Sequence, residues 1–512
     1  MGRMRGSVAL AGFALAGLLG ACAGLEGLTK YEECAAGCGA ADSSAPDHAI
    51  IGQGDSSANG TDGSVTDNAA DAAGDELTPV TGDAAEDVSG DDVGPVEDAG
   101  TCAGPSVNAG TGIFVTTGGT DGASCGTSPG SPCKTIGAGI TSAHANGRTT
   151  VYVSAGKYVE EVKPVAGVTV QGGWHASGAT WSFDCSDAPD SVVKVQAPAS
   201  SNTTVLANAI NGAATFSTMT VLSMATSSVQ PGQSIYGVFA TGSNTQLTLT
   251  DVVVNVVAGG GGQTGGMGST GSSPPSSCSS GDGQSNTTAG AQGGGASAGT
   301  FSSSGFTPSS GNTGSSGNAG DNGTGAPSPT PTSYSTCSTE ILSCNMNAAS
   351  SCTGTAGKNG CSGGGGGGGA GGGGGGSSVA LFIDAAQVTV AAGSLTAGNG
   401  GNGGAGGSGG QGAGGSAGAA GSSTQCTPSS CNFLQCNQGS KVTGAAGGAG
   451  GTGGHGSTGG QGGGGAGGDS YAVMSGGGGT VTLTTTTLVA GSAGSSPGGG
   501  AAAGVAAMQG SF

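Results

Sequence analysis

The chain has 512 residues, of which 119 are glycine, while only 8% are charged and 4% are aromatic. Its formal charge of −20 argues against nucleic-acid binding, because a row of phosphates must be met by clustered basic side chains. Glycine orders at a high entropic cost and buries no side chain, so the composition predicts that much of the chain cannot pack. The glycines keep no strict three-residue period, which argues against collagen.

Residues 1–21 have the features of a secretory signal, because Arg3 and Arg5 precede an apolar run that is too short to span a bilayer. The stretch Leu19-Gly20-Ala21-Cys22 resembles the lipobox of bacterial lipoproteins. This resemblance implies cleavage before Cys22 and a lipid anchor on its thiol. No Asp follows Cys22, so the resemblance implies export to the outer membrane or cell surface of a Gram-negative bacterium. The alternative is an ordinary cleaved signal with an incidental cysteine.

Residues 22–104 are predicted to be a disordered acidic tether. Asp and Glu are dense there, and no Lys or Arg occurs between Lys30 and Lys134. Such a segment buries too little apolar surface to fold, and its charges repel one another. No ligand spacing repeats in it, so the sequence favours a solvated spacer over a calcium site.

Residues 105–260 contain the first ordered elements. The residue pattern predicts a helix over Lys134–Ala145, stopped by Asn146-Gly147. The predicted strands and turn are Ile113–Val115, the turn Gly118–Gly122, Val151–Val153, and Val168–Val170, which ends at Gly172-Gly173-Trp174.

Three stretches in this block carry a family resemblance: Phe114-Val115, Pro132–Ile136 and Thr150–Glu160. In order, spacing and residue type they resemble the N-terminal segment of pectate-lyase-like right-handed parallel β-helices. The resemblance covers about 60 residues and implies a solenoid whose end is capped by the helix. Cys125 and Cys133 depart from it and are interpreted as an added disulfide.

A second pattern supports a solenoid independently. Each copy consists of three consecutive residues, an apolar or small residue, a Thr and an apolar residue. An aliphatic residue follows five positions after the third of them. The copies are Ala214-Thr215-Phe216 with Val221, Leu247-Thr248-Leu249 with Val254, Val388-Thr389-Val390 with Leu395, and Val481-Thr482-Leu483 with Leu488. Further apolar strands precede three of them, at Tyr236–Phe239, Val379–Ile383 and Tyr471–Met474. Each copy is expected to form one turn that buries its apolar face only when stacked on its neighbours.

Two glycine-rich inserts interrupt the predicted stack, at 261–377 and 399–469, leaving one β-helix turn at 378–398 and the last turn with the C-terminal tail at 470–512. The first insert leaves after Ala258-Gly259 and the second after Ala397-Gly398; Ala490-Gly491 is the equivalent position in the last turn. The glycine-rich loops are therefore expected to leave from one corner. Whether they order into a packed array stays open.

Setting aside Cys22, an even number of cysteines remains, as expected for a disulfide-bonded exported protein. The disulfide candidates are Cys34, Cys38, Cys102, Cys125, Cys133, Cys185, Cys278, Cys337, Cys344, Cys352, Cys361, Cys426, Cys431 and Cys436. A zinc site is disfavoured, because no Cys-x-x-Cys pair occurs and the four histidines are scattered singly. No cofactor is expected. The single nonapeptide match at Gly464–Ala472 is interpreted as chance, because calcium sites of that kind need tandem copies.

Enzymes of the pectate-lyase-like class use clustered acidic side chains, with a basic group in the lyases. Here Asp184, Asp187 and Asp190 share one loop, Asp251, Asp384 and Asp469 are far apart, and Lys194 is the nearby base. The sequence therefore favours a non-catalytic surface lipoprotein with display, adhesion or structural function, and glycans are candidate partners. The chain resembles the glycine-rich-repeat (PGRS-like) surface proteins of myxobacteria-like bacteria. The alternative is a secreted polysaccharide lyase or hydrolase.

The predicted fold class is all-β, a right-handed parallel β-helix with an N-terminal cap helix and long Gly-rich loops.

Overall fold

The computed structural model describes residues 105–184, 192–338, 345–432, 435–438 and 440–512. The predicted signal, anchor and tether lie outside the described residues. The same holds for Cys22, Cys34, Cys38, Cys102, Cys185 and Cys344.

Strands dominate the described chain, which has an all-β fold with a single α-helix in its described part. The elements are β1 (Gly112–Val115), α1 (Ile136–Ala145), β2 (Thr150–Ser154), β3 (Gly156–Val159), β4 (Thr169–Ser177), β5 (Thr180–Phe183), β6 (Val193–Gln196), β7 (Thr203–Asn208), β8 (Gly212–Leu222), β9 (Ile235–Thr241), β10 (Thr245–Asn255), β11 (Thr300–Ser302), β12 (Gly305–Thr307), β13 (Thr332–Ser338), β14 (Asn345–Cys352), β15 (Ser378–Asp384), β16 (Gln387–Thr396), β17 (Thr424–Cys426), β18 (Ser429–Asn432), β19 (Gln435–Gln438), β20 (Val442–Gly444), β21 (Ser470–Gly476), β22 (Thr480–Val489) and β23 (Ala506–Ser511).

Two large sheets are built from parallel strands. Sheet 1 has the order β1-β2-β4-β8-β10-β16-β22, with β3 and β6 pairing alongside β8 and β5 added antiparallel to β4. Sheet 2 has the order β7-β9-β15-β21-β23. Each strand of sheet 2 from β7 to β21 is followed directly in the chain by a strand of sheet 1. Each such pair of consecutive strands therefore adds one strand to both sheets and forms one layer.

The long strands of sheet 1 bend at one column of residues. Thr218, Asp251, Ala392 and Thr485 occupy equivalent positions in β8, β10, β16 and β22, and all four have φ between 47° and 58°. Left-handed backbone at a non-glycine residue is uncommon and reverses the pleat locally. The bend divides the long strands of sheet 1 into two arms.

The four sequence repeats stack in register. Leu249 pairs with Phe216 on one side and with Val390 on the other, and Val390 pairs with Leu483. Phe216, Leu249 and Val390 are at most 1% exposed and share one core with inward residues of sheet 2 such as Val238 and Leu381. The four copies therefore stack on one another with their apolar residues aligned, as the sequence predicted.

One predicted strand boundary is wrong. The sequence ended the third strand at Gly172-Gly173-Trp174, whereas β4 runs from Thr169 through Trp174 to Ser177 and pairs antiparallel with β5. Gly173 has φ +78° and the register with β2 shifts beside it, so the glycines produce an irregularity within the strand and do not end it.

The glycine-rich inserts form an ordered array, a point that the sequence left open. The prediction from composition that much of the chain cannot pack is therefore wrong for these segments. The central segment, 360–376, is bonded through its backbone to the segments 259–272, 309–325, 398–421 and 447–468. We call these segments, with 281–296 beside them, the glycine array. The central segment runs parallel to 447–468 and antiparallel to the other three, as the order of the bonded pairs shows.

Hydrogen bonds in the array recur at every third residue. Gly404, Gly407 and Gly410 donate to the carbonyls of Gly373, Ala370 and Gly367, each at 2.8 Å. A three-residue repeat bonded outward to neighbouring chains is the geometry of polyproline II helices. The glycines thus do keep a three-residue period, but within each segment and not along the whole chain.

Close approach between segments explains the glycine content. A Cβ at Gly369 would lie 2.6 Å from the carbonyl carbon of Gly407, and one at Gly368 would overlap the carbonyl of Gly314. None of the glycines of the central segment has positive φ, so crowding rather than backbone conformation demands glycine there. The central segment is crowded on several sides and is almost pure glycine, whereas the outer segment 309–325 needs glycine only at every third position.

Buried serines join the array to the sheets. Ser378 donates to the carbonyl of Val257 and accepts from the N–H of Gly398, each at 2.9 Å. One layer further on, Ser470 donates to Gly398 and accepts from Gly491. The repeated pattern holds the successive exits side by side, in agreement with the predicted common corner.

Candidate functional site, an uncharged threonine face

A single column of threonines crosses the outer face of sheet 1. Register pairing joins Thr215, Thr248, Thr389 and Thr482 in four consecutive long strands. The column continues through Thr169 in β4 to Thr150 in β2. Because inward and outward residues alternate along a strand, the buried apolar neighbours on both sides of Thr215, Thr248 and Thr389 point into the core and place these threonines outside.

The columns beside the threonines are also uncharged. On one side lie Ala213, Gln246, Gln387 and Thr480, and on the other lie Ser217, Thr250, Ala391 and Thr484. We call these three columns, across β8, β10, β16 and β22, the threonine face. Its exposed side chains include Gln246, Gln387, Thr389 and Thr482. None of the residues in these three columns is charged.

The hydroxyls of the column are free toward other protein groups. Within the described residues, the side chains of Thr215, Thr248, Thr389 and Thr482 make no hydrogen bond, in contrast with Thr245, whose hydroxyl donates to the Thr241 carbonyl at 2.7 Å. Threonine is β-branched and rotates little about χ1, so the strands hold its hydroxyl and methyl groups in a regular pattern. With strands 4.7–4.9 Å apart, six threonines extend about 24 Å.

The acidic candidates from the sequence do not come together as a catalytic group in the described structure. Asp251 lies at the bend of sheet 1, Asp384 ends β15 in sheet 2, and Asp469 precedes β21. Burial raises the pKa of the Asp469 carboxyl, which accepts a hydrogen bond from the N–H of Val505 and thereby connects β21 to the segment before β23. Lys194 pairs in register with Lys157. Asp187 and Asp190 lie outside the described residues.

Side chains from two other parts of the chain cap the N-terminus of α1. The Asp121 carboxylate accepts from the N–H groups of Lys134 and Thr135, and Thr135 is the N-cap of α1. Glu160 accepts from the N–H groups of Ile136 and Gly137, both at 2.8 Å. Two carboxylates thus satisfy the first free N–H groups of the helix and interact favourably with its dipole. Their roles are structural.

Burial raises the pKa of Glu160, and the nearby Asp121 charge adds to this effect, while the two backbone hydrogen bonds act in the opposite direction. The sequence gives no sign that Asp121 and Glu160 cap the helix, because both act across a distance in the chain. Asp121 lies 14 positions before Thr135, and Glu160 lies 23 positions after Gly137.

Three disulfides occur among the described cysteine side chains. Cys125 pairs with Cys133, Cys278 with Cys361, and Cys352 with Cys426. Asp121, Cys125 and Cys133 are also near enough to be metal ligands, but both thiols are consumed by their bridge. The side chains of Cys337, Cys431 and Cys436 lie outside the described part. The two long-range bridges join segments within and beside the glycine array.

An aromatic cluster fixes the first insert to sheet 2. Phe239 and Phe382 stack with centroids 4.4 Å apart, and Phe301 from the β11–β12 hairpin packs against Phe382 and Tyr471. The Tyr236 hydroxyl accepts from the N–H of Phe306 at 2.7 Å. The sequence gives no signal of this cluster, because Phe301 and Phe306 are isolated aromatic residues within low-complexity sequence.

No helix in the described chain combines the length and the apolar character needed to cross a membrane. Comparison with family models, with curated proteins and with solved structures finds no match.

Proposed function

We propose that the chain is a non-catalytic, lipid-anchored cell-surface protein whose ectodomain is a right-handed parallel β-helix used for display or adhesion. Support for the β-helix comes from in-register layers shared by two parallel sheets with one aliphatic core. Solenoids of this kind present long regular flanks that suit binding to extended partners.

The observation that carries the proposal is the threonine face. It is large, regular and uncharged, and its column of threonine hydroxyls makes no hydrogen bond to the part of the chain that the structure describes. Binding surfaces differ from catalytic sites in that they need no group of shifted pKa beside a reacting atom. Three of the acidic residues considered as catalytic candidates, Asp251, Asp384 and Asp469, lie apart at the bend, at the end of β15 and before β21, which supports binding over hydrolysis.

The glycine array supports a structural contribution. Its segments are bonded to one another through backbone groups and project from a single corner of the sheets. Disulfides hold segments that have no hydrophobic core, which suits an oxidising compartment. Export through the proposed signal and a lipid on Cys22 would place the chain in that compartment.

The anchor is tested by Cys22→Ser in the full chain, with Cys34→Ser as the matched control. We expect Cys22→Ser to release the protein from the membrane fraction and to abolish labelling with a radioactive fatty acid, while Cys34→Ser leaves both unchanged. Retention of the Cys22→Ser protein in washed membranes would refute the anchor.

The enzyme alternative is tested on the same protein. The full chain is incubated with polygalacturonate with and without calcium, and absorbance from unsaturated products and reducing ends are followed. We expect neither signal to exceed that of a heat-denatured sample. A calcium-dependent rise in unsaturated product would replace the proposed function with a lyase.

A further inference from the structure

We infer that the threonine face binds a neutral, extended β-linked polysaccharide whose chain lies along the threonine column. This inference rests on the proposed function and deepens it by naming the partner and the surface. Its support comes from charge, from the direction of the column and from the chemistry of the side chains.

Charge selects a neutral partner. Eighteen of the thirty Asp and Glu residues lie before residue 105, outside the described residues, so the charge that bears on the partner is that of the threonine face itself. The threonine face offers no Lys or Arg to pair with carboxylates or sulfates, and no Asp or Glu to pair with amines. A neutral polymer is the partner whose binding requires no ion pair.

The direction of the threonine column favours an extended partner. The column crosses strands at right angles to them, so equivalent hydroxyls repeat along one line at the strand spacing of about 4.8 Å. Glutamines flank the middle of this line at Gln246 and Gln387, both exposed, and add amide donors and acceptors. A chain of sugars in an extended conformation presents hydroxyls along a line in the same manner, whereas a compact ligand would contact only one or two layers.

Side-chain chemistry suits sugar faces. Each threonine offers a methyl group and a hydroxyl that can donate and accept, which matches the mixed apolar and hydroxyl character of a pyranose ring. Because χ1 is restricted and the strands are fixed by neighbours, little side-chain entropy is lost on binding. The hydroxyls of Thr248, Thr389 and Thr482 need not break a hydrogen bond within the described protein to reach a ligand.

The other arm of sheet 1 supplies the control. Thr220, Thr396 and Thr487 also point outward there, from β8, β16 and β22. On this arm the threonines do not form a continuous column. In register, Thr220 lies between Lys194 and Val253, and the column that holds Thr396 also contains Leu222. Replacing either set of three threonines with valine keeps the side-chain shape and the β-propensity and removes only hydroxyls.

The experiment uses full-length protein in mild detergent and measures retention on microcrystalline cellulose, chitin, mannan and immobilised polygalacturonate. We expect binding to at least one neutral polymer. The Thr248→Val/Thr389→Val/Thr482→Val protein should bind that polymer about tenfold more weakly, a loss of about 1.4 kcal/mol. The Thr220→Val/Thr396→Val/Thr487→Val protein should bind like the wild type, and circular dichroism verifies that all three proteins fold.

Equal binding by the two triple variants, retention on polygalacturonate alone, or no retention on any neutral polymer would each overturn the inference. Surface labelling of intact cells separates this result from the proposed function. A chain that reaches the surface but does not bind neutral polymers refutes only the polysaccharide partner. A chain that binds them but never reaches the surface refutes only the surface display.

Discussion

Replacing glycine with alanine should have opposite effects at two positions of the glycine array. At Gly369 a Cβ would lie 2.6 Å from the carbonyl carbon of Gly407 and 2.7 Å from the carbonyl oxygen of Ser408, and both atoms belong to backbone that cannot rotate away. At Gly266, on an outer segment, a Cβ would meet no atom within 4 Å. Neither glycine has positive φ, so alanine is conformationally permitted at both.

The magnitudes follow from packing and from the unfolded chain. Overpacking typically costs about 1–3 kcal/mol, and the rigid backbone on both sides of Gly369 places it at the upper end. Where the site is open, alanine stabilises by about 0.4–1 kcal/mol, because the unfolded chain loses conformational freedom. We therefore expect Gly369→Ala to lower the free energy of unfolding by about 2–3 kcal/mol and Gly266→Ala to raise it by up to about 1 kcal/mol.

The central segment already contains a natural test of this reasoning. Ala370 interrupts its glycine run and is exposed, whereas the neighbouring Gly369 is buried. The measurement is denaturant unfolding of the full chain, with hydrogen exchange of the array amides as a local readout. Equal stability of Gly369→Ala and Gly266→Ala would refute the claim that crowding between segments determines the glycine content.

Three further predictions concern the core, the cap and the disulfides. Phe382→Ala should cost about 3–5 kcal/mol, measured by thermal unfolding, and should expose the β11–β12 hairpin to proteolysis, because Phe382 is fully buried beneath it. Burial raises the folded-state pKa of Glu160 above its ordinary value. The protonated Glu160 side chain therefore stabilises the fold below the unfolded-state pKa, and this stabilisation is lost as the pH rises through the higher folded-state pKa. Glu160→Gln should make the free energy of unfolding less dependent on pH between these two pKa values, measured by denaturant unfolding at several pH values. Removing the Cys278–Cys361 bridge, which closes a separation of 83 residues, should cost about 4 kcal/mol and melt the array in calorimetry, whereas removing Cys125–Cys133 should cost about 2–3 kcal/mol and leave the array folded.

The aliphatic repeats could be predicted from sequence because each carries its own signal. In Leu247-Thr248-Leu249 and its copies, alternation assigns the core face within three residues, and equal spacing sets the register between layers. The helix cap was only partly predictable. The helix predicted over Lys134–Ala145 forms but begins two residues later, at Ile136, because Thr135 is its N-cap. Asp121 and Glu160 reach it from elsewhere in the chain.

The glycine array could not be predicted from composition, since its stability comes from backbone bonds between segments that are distant in sequence. Composition reported the entropic cost of ordering glycine and gave no sign of the compensating bonds, such as that from Gly404 to Gly373. The three-residue period was present in segments such as 309–325 and 398–421, but it changes phase between segments and is lost when the whole chain is read together.

The sequence by itself determined the all-β class, the stacked aliphatic layers and the exit of both inserts after equivalent strands, because side-chain alternation is a local property. The sequence also predicted the Cys125–Cys133 bridge. Only the tertiary structure decided which glycines are crowded, which distant cysteines pair and that six threonines from six strands form one line. Those properties depend on which segments become neighbours, and a chain in which almost every fourth residue is glycine carries few side chains that could specify its neighbours in advance.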